Sequence, residues 1–115
     1  MNKFEKTLEE IKKEYQVRML TTTYAQIETD ILFDAYNYIF IGVLFEDDKI
    51  YLTDCAEYTQ TCQWEDEDVP EVEKICQKHN LTFKNFHIEC FYRSNEDIKN
   101  YMECLLELRD KYSDL

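Results

Sequence analysis

Residues 38–45 (Tyr-Ile-Phe-Ile-Gly-Val-Leu-Phe) form the longest apolar run in the chain. Eight residues fall far short of the ~20 that a membrane span needs. The run is rich in aromatic and β-branched residues, so it reads as a strand. Its apolar residues fall on both sides of the strand, which predicts a central position with both faces covered. Gly42 sits in the middle, where a missing side chain marks a bulge, a bend or a close backbone approach. The remaining elements must be arranged around this strand.

Upstream, Ala25, Ile27, Thr29 and Ile31 alternate with Gln26, Glu28 and Asp30, the pattern of a strand with one wet face. Val17 and Met19 begin a shorter β-prone piece. Downstream, Glu46-Asp47-Asp48-Lys49 reads as a hairpin turn, and Ile50 and Leu52 alternate with Tyr51 and Thr53 in the return strand. Residues 83–92 read as a last strand, with Phe86, Ile88 and Cys90 on one side.

Three helices flank these strands. Phe4, Leu8, Ile11 and Tyr15 recur at helical spacing and predict an amphipathic helix over residues 2–15. Asp68-x-x-Glu71, with Pro70 in the first turn, resembles a capping box that opens a short helix. Val72, Ile75, Cys76 and His79 trace one face of that helix, which ends near Asn80. Ser94-x-x-Asp97 opens a final helix with the stripe Ile98, Tyr101, Met102, Leu105, Leu108 and Tyr112. The class that follows is α+β: an antiparallel sheet of four or five strands with N-terminal, middle and C-terminal helices packed on it. At 115 residues, with no linker and no internal repeat, residues 1–115 are expected to form a single domain.

Composition removes several functions. One Gly and one Pro leave no phosphate-cradling loop, dinucleotide fingerprint or nucleophile elbow. A net charge of −12, from 25 acidic and 13 basic residues, argues against direct nucleic-acid binding. The N-terminus has no apolar core of a secretory signal, which predicts a cytoplasmic location. There the five cysteines (Cys55, Cys62, Cys76, Cys90 and Cys104) are thiols, not a disulfide framework. The N-terminal helix has a polar face of mixed sign, so it is expected to pack on the core and not on a membrane.

The charge is unevenly distributed. Residues 1–45 carry net −2 and residues 74–115 net 0, whereas residues 46–73 hold 11 acids against Lys49 alone. Part of this excess suits a helix N-terminus and part suits solubility. The functional reading is a concentrated negative face that takes a basic protein surface by fast, salt-sensitive association. A nucleic-acid-binding protein is the obvious kind of target, with carboxylates standing where phosphates would. The expected partner-binding residues are Asp47, Asp48, Asp54, Glu57, Trp64, Glu65, Asp66, Glu67 and Asp68. Trp64 is the candidate anchor of the interface; Tyr51 is expected in the core.

Other chemistry is weaker. Cys76-x-x-His79 and His87-x-x-Cys90 have zinc-ligand types. On a strand, however, His87 and Cys90 point to opposite faces, and Cys76 lies on an apolar stripe, so no metal and no other cofactor is expected. Cys55 and Cys62 sit in the most negative stretch, which disfavours a thiolate nucleophile. The acids include no D-x-D-x-D-G loop. The chain is therefore read as non-enzymatic. A small-molecule pocket lined by Tyr36, Tyr38 and Phe91 is the first alternative, and a metal-dependent enzyme the second. Aromatic-rich strands also leave room for a symmetric homodimer that hides an exposed edge.

From Ile27 onward the chain resembles a bacterial and phage-associated small α+β domain family of uncharacterised function. The resemblance is carried by Ile27-Glu-Thr-Asp-Ile-Leu, the apolar strand 38–45, Ile50-Tyr-Leu-Thr-Asp54, and the helix, strand and helix that follow. That family usually places an acidic residue and Gly after the Thr-Asp turn; Cys55-Ala56 stands here. The resemblance implies an α+β fold and occurrence near mobile genetic elements, and it supplies no catalytic residues. At its sharpest, the expectation is a phage or mobile-element inhibitor that occupies the nucleic-acid site of its target.

Overall fold

A computed structural model of the chain describes residues 2–32, 38–54 and 64–112. Helix α1 (Lys3–Lys12) begins where the Asn2 side chain accepts from the Glu5 N–H at 2.8 Å. It ends earlier than the apolar period suggests, because the chain turns into β1 (Gln16–Met19) just after Tyr15. Strand β2 (Tyr24–Leu32) pairs back on β1, and β3 (Tyr38–Glu46) and β4 (Lys49–Thr53) continue the meander. A single 3₁₀ turn (Asp66–Asp68) leads into α2 (Val69–Lys78). Strands β5 (Thr82–Lys84) and β6 (His87–Phe91) and the long α3 (Asn95–Tyr112) complete the described chain. All strand pairs are antiparallel, in the order β1-β2-β3-β4-β6-β5.

The sheet thus has six strands, where four or five were expected. The extra one comes from residues 83–92, which are a hairpin and not a single strand. Asn85 and Phe86 both adopt positive φ (53° and 60°), as do Asp47 and Asp48 in the β3–β4 turn (52° and 60°). Two consecutive residues at positive φ make the two-residue turn whose twist matches a hairpin. Asp and Asn tolerate that conformation; a phenylalanine does so at a cost in strain. Phe86 consequently points away from Ile88, with its ring half-exposed and edge-on to Phe83.

The alternation of burial sorts every strand into an inner and an outer face. Ala25, Ile27, Ile39, Ile41, Val43, Ile50, Leu52 and Ile88 are buried on the inner face. Against them pack Phe4, Leu8 and Ile11 of α1, Val72, Ile75 and Cys76 of α2, and Ile98, Tyr101, Cys104, Leu105 and Leu108 of α3. The three described helices therefore lie on one side of the sheet. The expectation that strand 38–45 is covered on both faces fails here. Ile39, Ile41 and Val43 are buried, whereas Tyr38 and Phe40 face outward, 55% and 41% exposed.

Gly42 is an outward position and shows why that strand needs a glycine. A Cβ there would lie 2.9 Å from the Thr53 carbonyl oxygen and 2.9 Å from the Tyr24 ring. The missing side chain is the space in which Tyr24 lies.

The helix caps also depart from expectation. At α2 the reciprocal contact is one turn earlier: the Glu65 N–H donates to Asp68 Oδ2 at 3.0 Å. Glu71 instead takes Lys111 of α3 at 2.8 Å. Asn80, at φ 64°, closes α2, and the Leu81 N–H reaches back to the Cys76 carbonyl. At α3, Asp97 Oδ2 accepts from the Arg93 and Ser94 N–H groups, as the Ser94-x-x-Asp97 pattern predicts.

Candidate functional site

Of the nine expected partner-binding residues, the eight that the structure describes do not come together. Asp47 and Asp48 are exposed at the tip of the β3–β4 hairpin, and the Asp48 carbonyl accepts from Lys3 Nζ at the start of α1. Glu65, Asp66 and Glu67 are exposed, and Asp68 half-exposed, at the entry to α2. That entry is placed by Trp64, whose ring meets Phe83 at 5.6 Å and Tyr112 at 5.9 Å. From the hairpin tip to Phe83 the register runs about five residues along and two strands across, about 20 Å in all. That exceeds the ~8 Å over which exposed charges act on one another at physiological salt. The described acids among residues 46–48 and 65–68 are therefore two separate spots and not one face.

Two of the nine are corrected outright. Asp54 is 4% exposed and serves the sheet. Its Oδ1 accepts from the Ile88 N–H at 3.0 Å, and its own N–H donates to the Ile88 carbonyl at 3.3 Å. The carboxylate thus extends the β4–β6 ladder by one rung after β4 ends. The Tyr101 hydroxyl donates to the same Ile88 carbonyl. Burial, with the charge of Asp54 beside it, pushes that phenol well above its ordinary pKa. Trp64 is half-buried, and its ring is occupied by Phe83 and Tyr112, so it locks α3 to β5 instead of standing free as an anchor. Glu57 lies outside the described residues.

The four Cys and His side chains with zinc-ligand types go to different places. Cys76 Sγ faces Cys104 Sγ at 3.9 Å between α2 and α3. That contact, and then desolvation, raise the Cys104 thiol far above its usual range, and burial pushes Cys90 up to about 12. His79 Nε2 meets Glu107 Oε1 at 2.9 Å. His87 is opposite Lys84 at the start of β6. Among the described residues, no group of three or more His, Cys, Asp or Glu side chains is placed to hold a metal ion. No described helix is long and apolar enough to cross a membrane.

What the fold does assemble is the outer face of the sheet. The register places Tyr24, Leu44, Tyr51 and Phe91 in one row across β2, β3, β4 and β6. Phe91 is 49% exposed, stacks on Tyr51 at 5.0 Å and carries Lys49 Nζ at 5.6 Å from its ring centre. Tyr51 is therefore an outer-face residue and not a core one. Two register steps from Leu44, past Gly42, Phe40 stands opposite Glu28, with Tyr38 next on the same strand. Glu28, Asp30, Glu46 and Glu89 flank these rings, with Asp47 and Asp48 at the hairpin tip.

The expected pocket of Tyr36, Tyr38 and Phe91 is not one space. Tyr36 lies outside the described residues. Tyr38 lines a cleft of about 660 Å³ at the β1–β2–β3 end, together with Glu14, Tyr15, Glu28, Asp30, Phe40 and Met102. Phe91 lines a separate cavity of about 250 Å³ with Tyr51, Thr82 and Glu89. The signal for the outer residues was present in the alternation of 38–46, where the large aromatics Tyr38 and Phe40 share a parity with Leu44. No protein-family model, no curated protein and no solved structure matches this chain.

Proposed function

We propose that this chain is a non-enzymatic binding module that takes a protein partner with a basic surface on the outer face of its sheet. The observation that carries the reading is that Tyr38, Phe40 and Phe91, each about half-exposed, all lie on the sheet face away from the described helices, Phe40 and Tyr38 toward one end and Phe91 against Tyr51 toward the other. Aromatic rings of this kind are the usual anchors of protein interfaces. The carboxylates of this face and its hairpin tip (Glu28, Asp30, Glu46, Asp47, Asp48 and Glu89) outnumber the cations Arg18, Lys49, Lys84 and, beside Phe91, Arg93. That balance favours a basic partner and disfavours a phosphate backbone. The sharper form is an inhibitor, encoded by a phage or mobile element, that occupies the nucleic-acid site of its target. The module works in the cytoplasm, where Cys76, Cys90 and Cys104 stay thiols.

The test is capture from a host lysate at low and high salt, with paired variants. Phe40→Ala with Phe91→Ala is expected to abolish capture, and Asp47→Lys with Asp48→Lys to weaken it most at low salt. Glu65→Lys, Asp66→Lys and Asp68→Lys together are expected to leave it largely intact, because that spot is on another part of the surface. Full-strength capture by the Phe40/Phe91 variant overturns the sheet-face reading. Loss of capture only in the 65–68 variant moves the interface to the entry of α2.

A further inference from the structure

The 660 Å³ cleft is built by an irregularity in the sheet. Along β2 the register with β3 is regular up to Glu28↔Phe40 and then shifts, resuming at Leu32↔Tyr38. Three residues, Thr29, Asp30 and Ile31, thus stand against Ile39 alone. The interrupted ladder is repaired by a side chain: the buried Thr29 hydroxyl donates to the Ile39 carbonyl at 2.6 Å and accepts from the Ile31 N–H at 3.2 Å. Bulges of this kind bend a strand and re-aim its side chains, and they recur beside binding sites. Here the bend lies beside the cleft, whose lining includes Glu28, Asp30, Phe40 and Tyr38. The turn from α1 into β1 adds Tyr15 and Glu14.

The lining has one sign and one texture. Three carboxylates and three aromatic rings share the cleft, and no cation is among its described lining residues. Among the described residues, neither Glu28 nor Asp30 makes an ion pair. One oxygen of Glu14 is held by the Asn95 amide at 2.7 Å, which fixes that carboxylate at the rim. Partial burial and then the charges of Glu14 and Glu96 raise the Tyr15 phenol, so its ring stands in the cleft uncharged. Carboxylates beside aromatic faces are complementary to an organic cation, which gains Coulomb attraction from the first and ring-quadrupole attraction from the second.

We propose that this cleft, built on the β2 bulge, binds the ammonium group of an alkylamine, with Glu28 and Asp30 as counter-charges and Phe40 and Tyr38 as the aromatic wall. The amine comes either from a free small diamine or from a lysine side chain presented by a protein. The site does not depend on the docking reading above, since a free amine would fill it with no protein partner present.

The experiment is a calorimetric or NMR titration of the full chain with three probes: putrescine, the isosteric neutral 1,4-butanediol, and a capped Gly-Lys-Gly peptide. Saturable binding of putrescine or of the peptide, with none of the diol, is expected; the tighter of the two identifies the source. Glu28→Gln with Asp30→Asn is expected to weaken binding about tenfold, and Phe40→Ala about threefold. Asp47→Asn with Asp48→Asn, at the far end of the sheet, is expected to change it less than about twofold. No saturable binding of either amine overturns the proposal. So does equal weakening by the hairpin-tip variant, which would mean diffuse attraction to an acidic protein. If Phe40→Ala unfolds the chain, the Glu28/Asp30 variant decides alone, because both are exposed residues outside any described ion pair.

Discussion

The two faces of the sheet are made by the same strands and have opposite constraints. On the inner face, Ile, Val and Leu are buried against three helices, and volume is what matters there. On the outer face the residues are larger and more aromatic, yet Tyr38, Phe40 and Phe91 are each about half in water. Size and hydrophobicity alone would place a phenylalanine inside before a valine. The strand period decides otherwise, because the described helices all lie on one side. The most direct way to break this contrast is to truncate one residue of each kind. Leu52→Ala, fully buried, is expected to cost about 2–5 kcal/mol. Phe91→Ala removes a larger side chain and is expected to cost about 1 kcal/mol or less, since its ring is half in water already. Urea unfolding of both variants measures the difference; equal losses would mean that the outer face is as structural as the inner.

Gly42 is where the outer face behaves like a core. A methyl group there meets the Thr53 carbonyl oxygen, which belongs to the adjacent strand and cannot swing aside. Gly42→Ala is therefore expected to destabilise by about 1–3 kcal/mol, against the usual gain from replacing a strand glycine by alanine. A variant as stable as the parent would show that Tyr24 does not lie over Gly42. Asp54 makes the same point for charge. Asp54→Ala leaves the buried Ile88 N–H without its acceptor and is expected to cost about 1–3 kcal/mol. Asp47→Ala, at the exposed hairpin tip, is expected to stay within about 0.5 kcal/mol of the parent.

How much of this was legible depended on whether a local pattern or a long-range contact decided the outcome. The α+β class, the three helices and the Asp47-Asp48 turn follow from periodicity and turn chemistry, which act within a few residues. The second hairpin was hidden because Asn85-Phe86 is an unusual pair at positive φ. The turn is held in place by β6 pairing with β4 and by Phe86 resting on Phe83, contacts that adjacent residues do not announce. Asp54 looked like its acidic neighbours, and only the Ile88 amide, 34 residues away, makes it structural. The acidic run reads as one surface in the sequence, but residues near in the chain need not be near in space. Strand β4 carries the chain across the sheet between its two halves.

The rim of the helical layer offers the smallest and most specific test of the contrast. There α2 and α3 are joined by exposed ion pairs, Glu71 to Lys111 at 2.8 Å and Glu107 to Lys78 at 2.6 Å with His79 on its other oxygen. Hydrogen bonding to Lys111 holds the Glu71 carboxyl below its usual 4.5, and hydrogen bonds to Lys78 and then His79 do the same for Glu107. A carboxyl whose pKa is lower in the folded state adds stability above the unfolded value, and that stability disappears as pH falls through the folded value. The pairs should therefore be fully in force at neutral pH and fade below about pH 4.5. In the same way Glu71 raises Lys111, so that contribution ends only above the usual lysine value of 10.5. Acidification also relieves the repulsion of a chain carrying −12, which opposes the effect in the parent protein. Comparing melting temperatures of the parent with Glu71→Gln and Glu107→Gln cancels that background. The expected result is a parent advantage at pH 7 that narrows between pH 5 and pH 3 and shrinks in high salt, since exposed pairs are screened. An advantage unchanged across that range would mean that the two carboxylates hold the helices by packing alone.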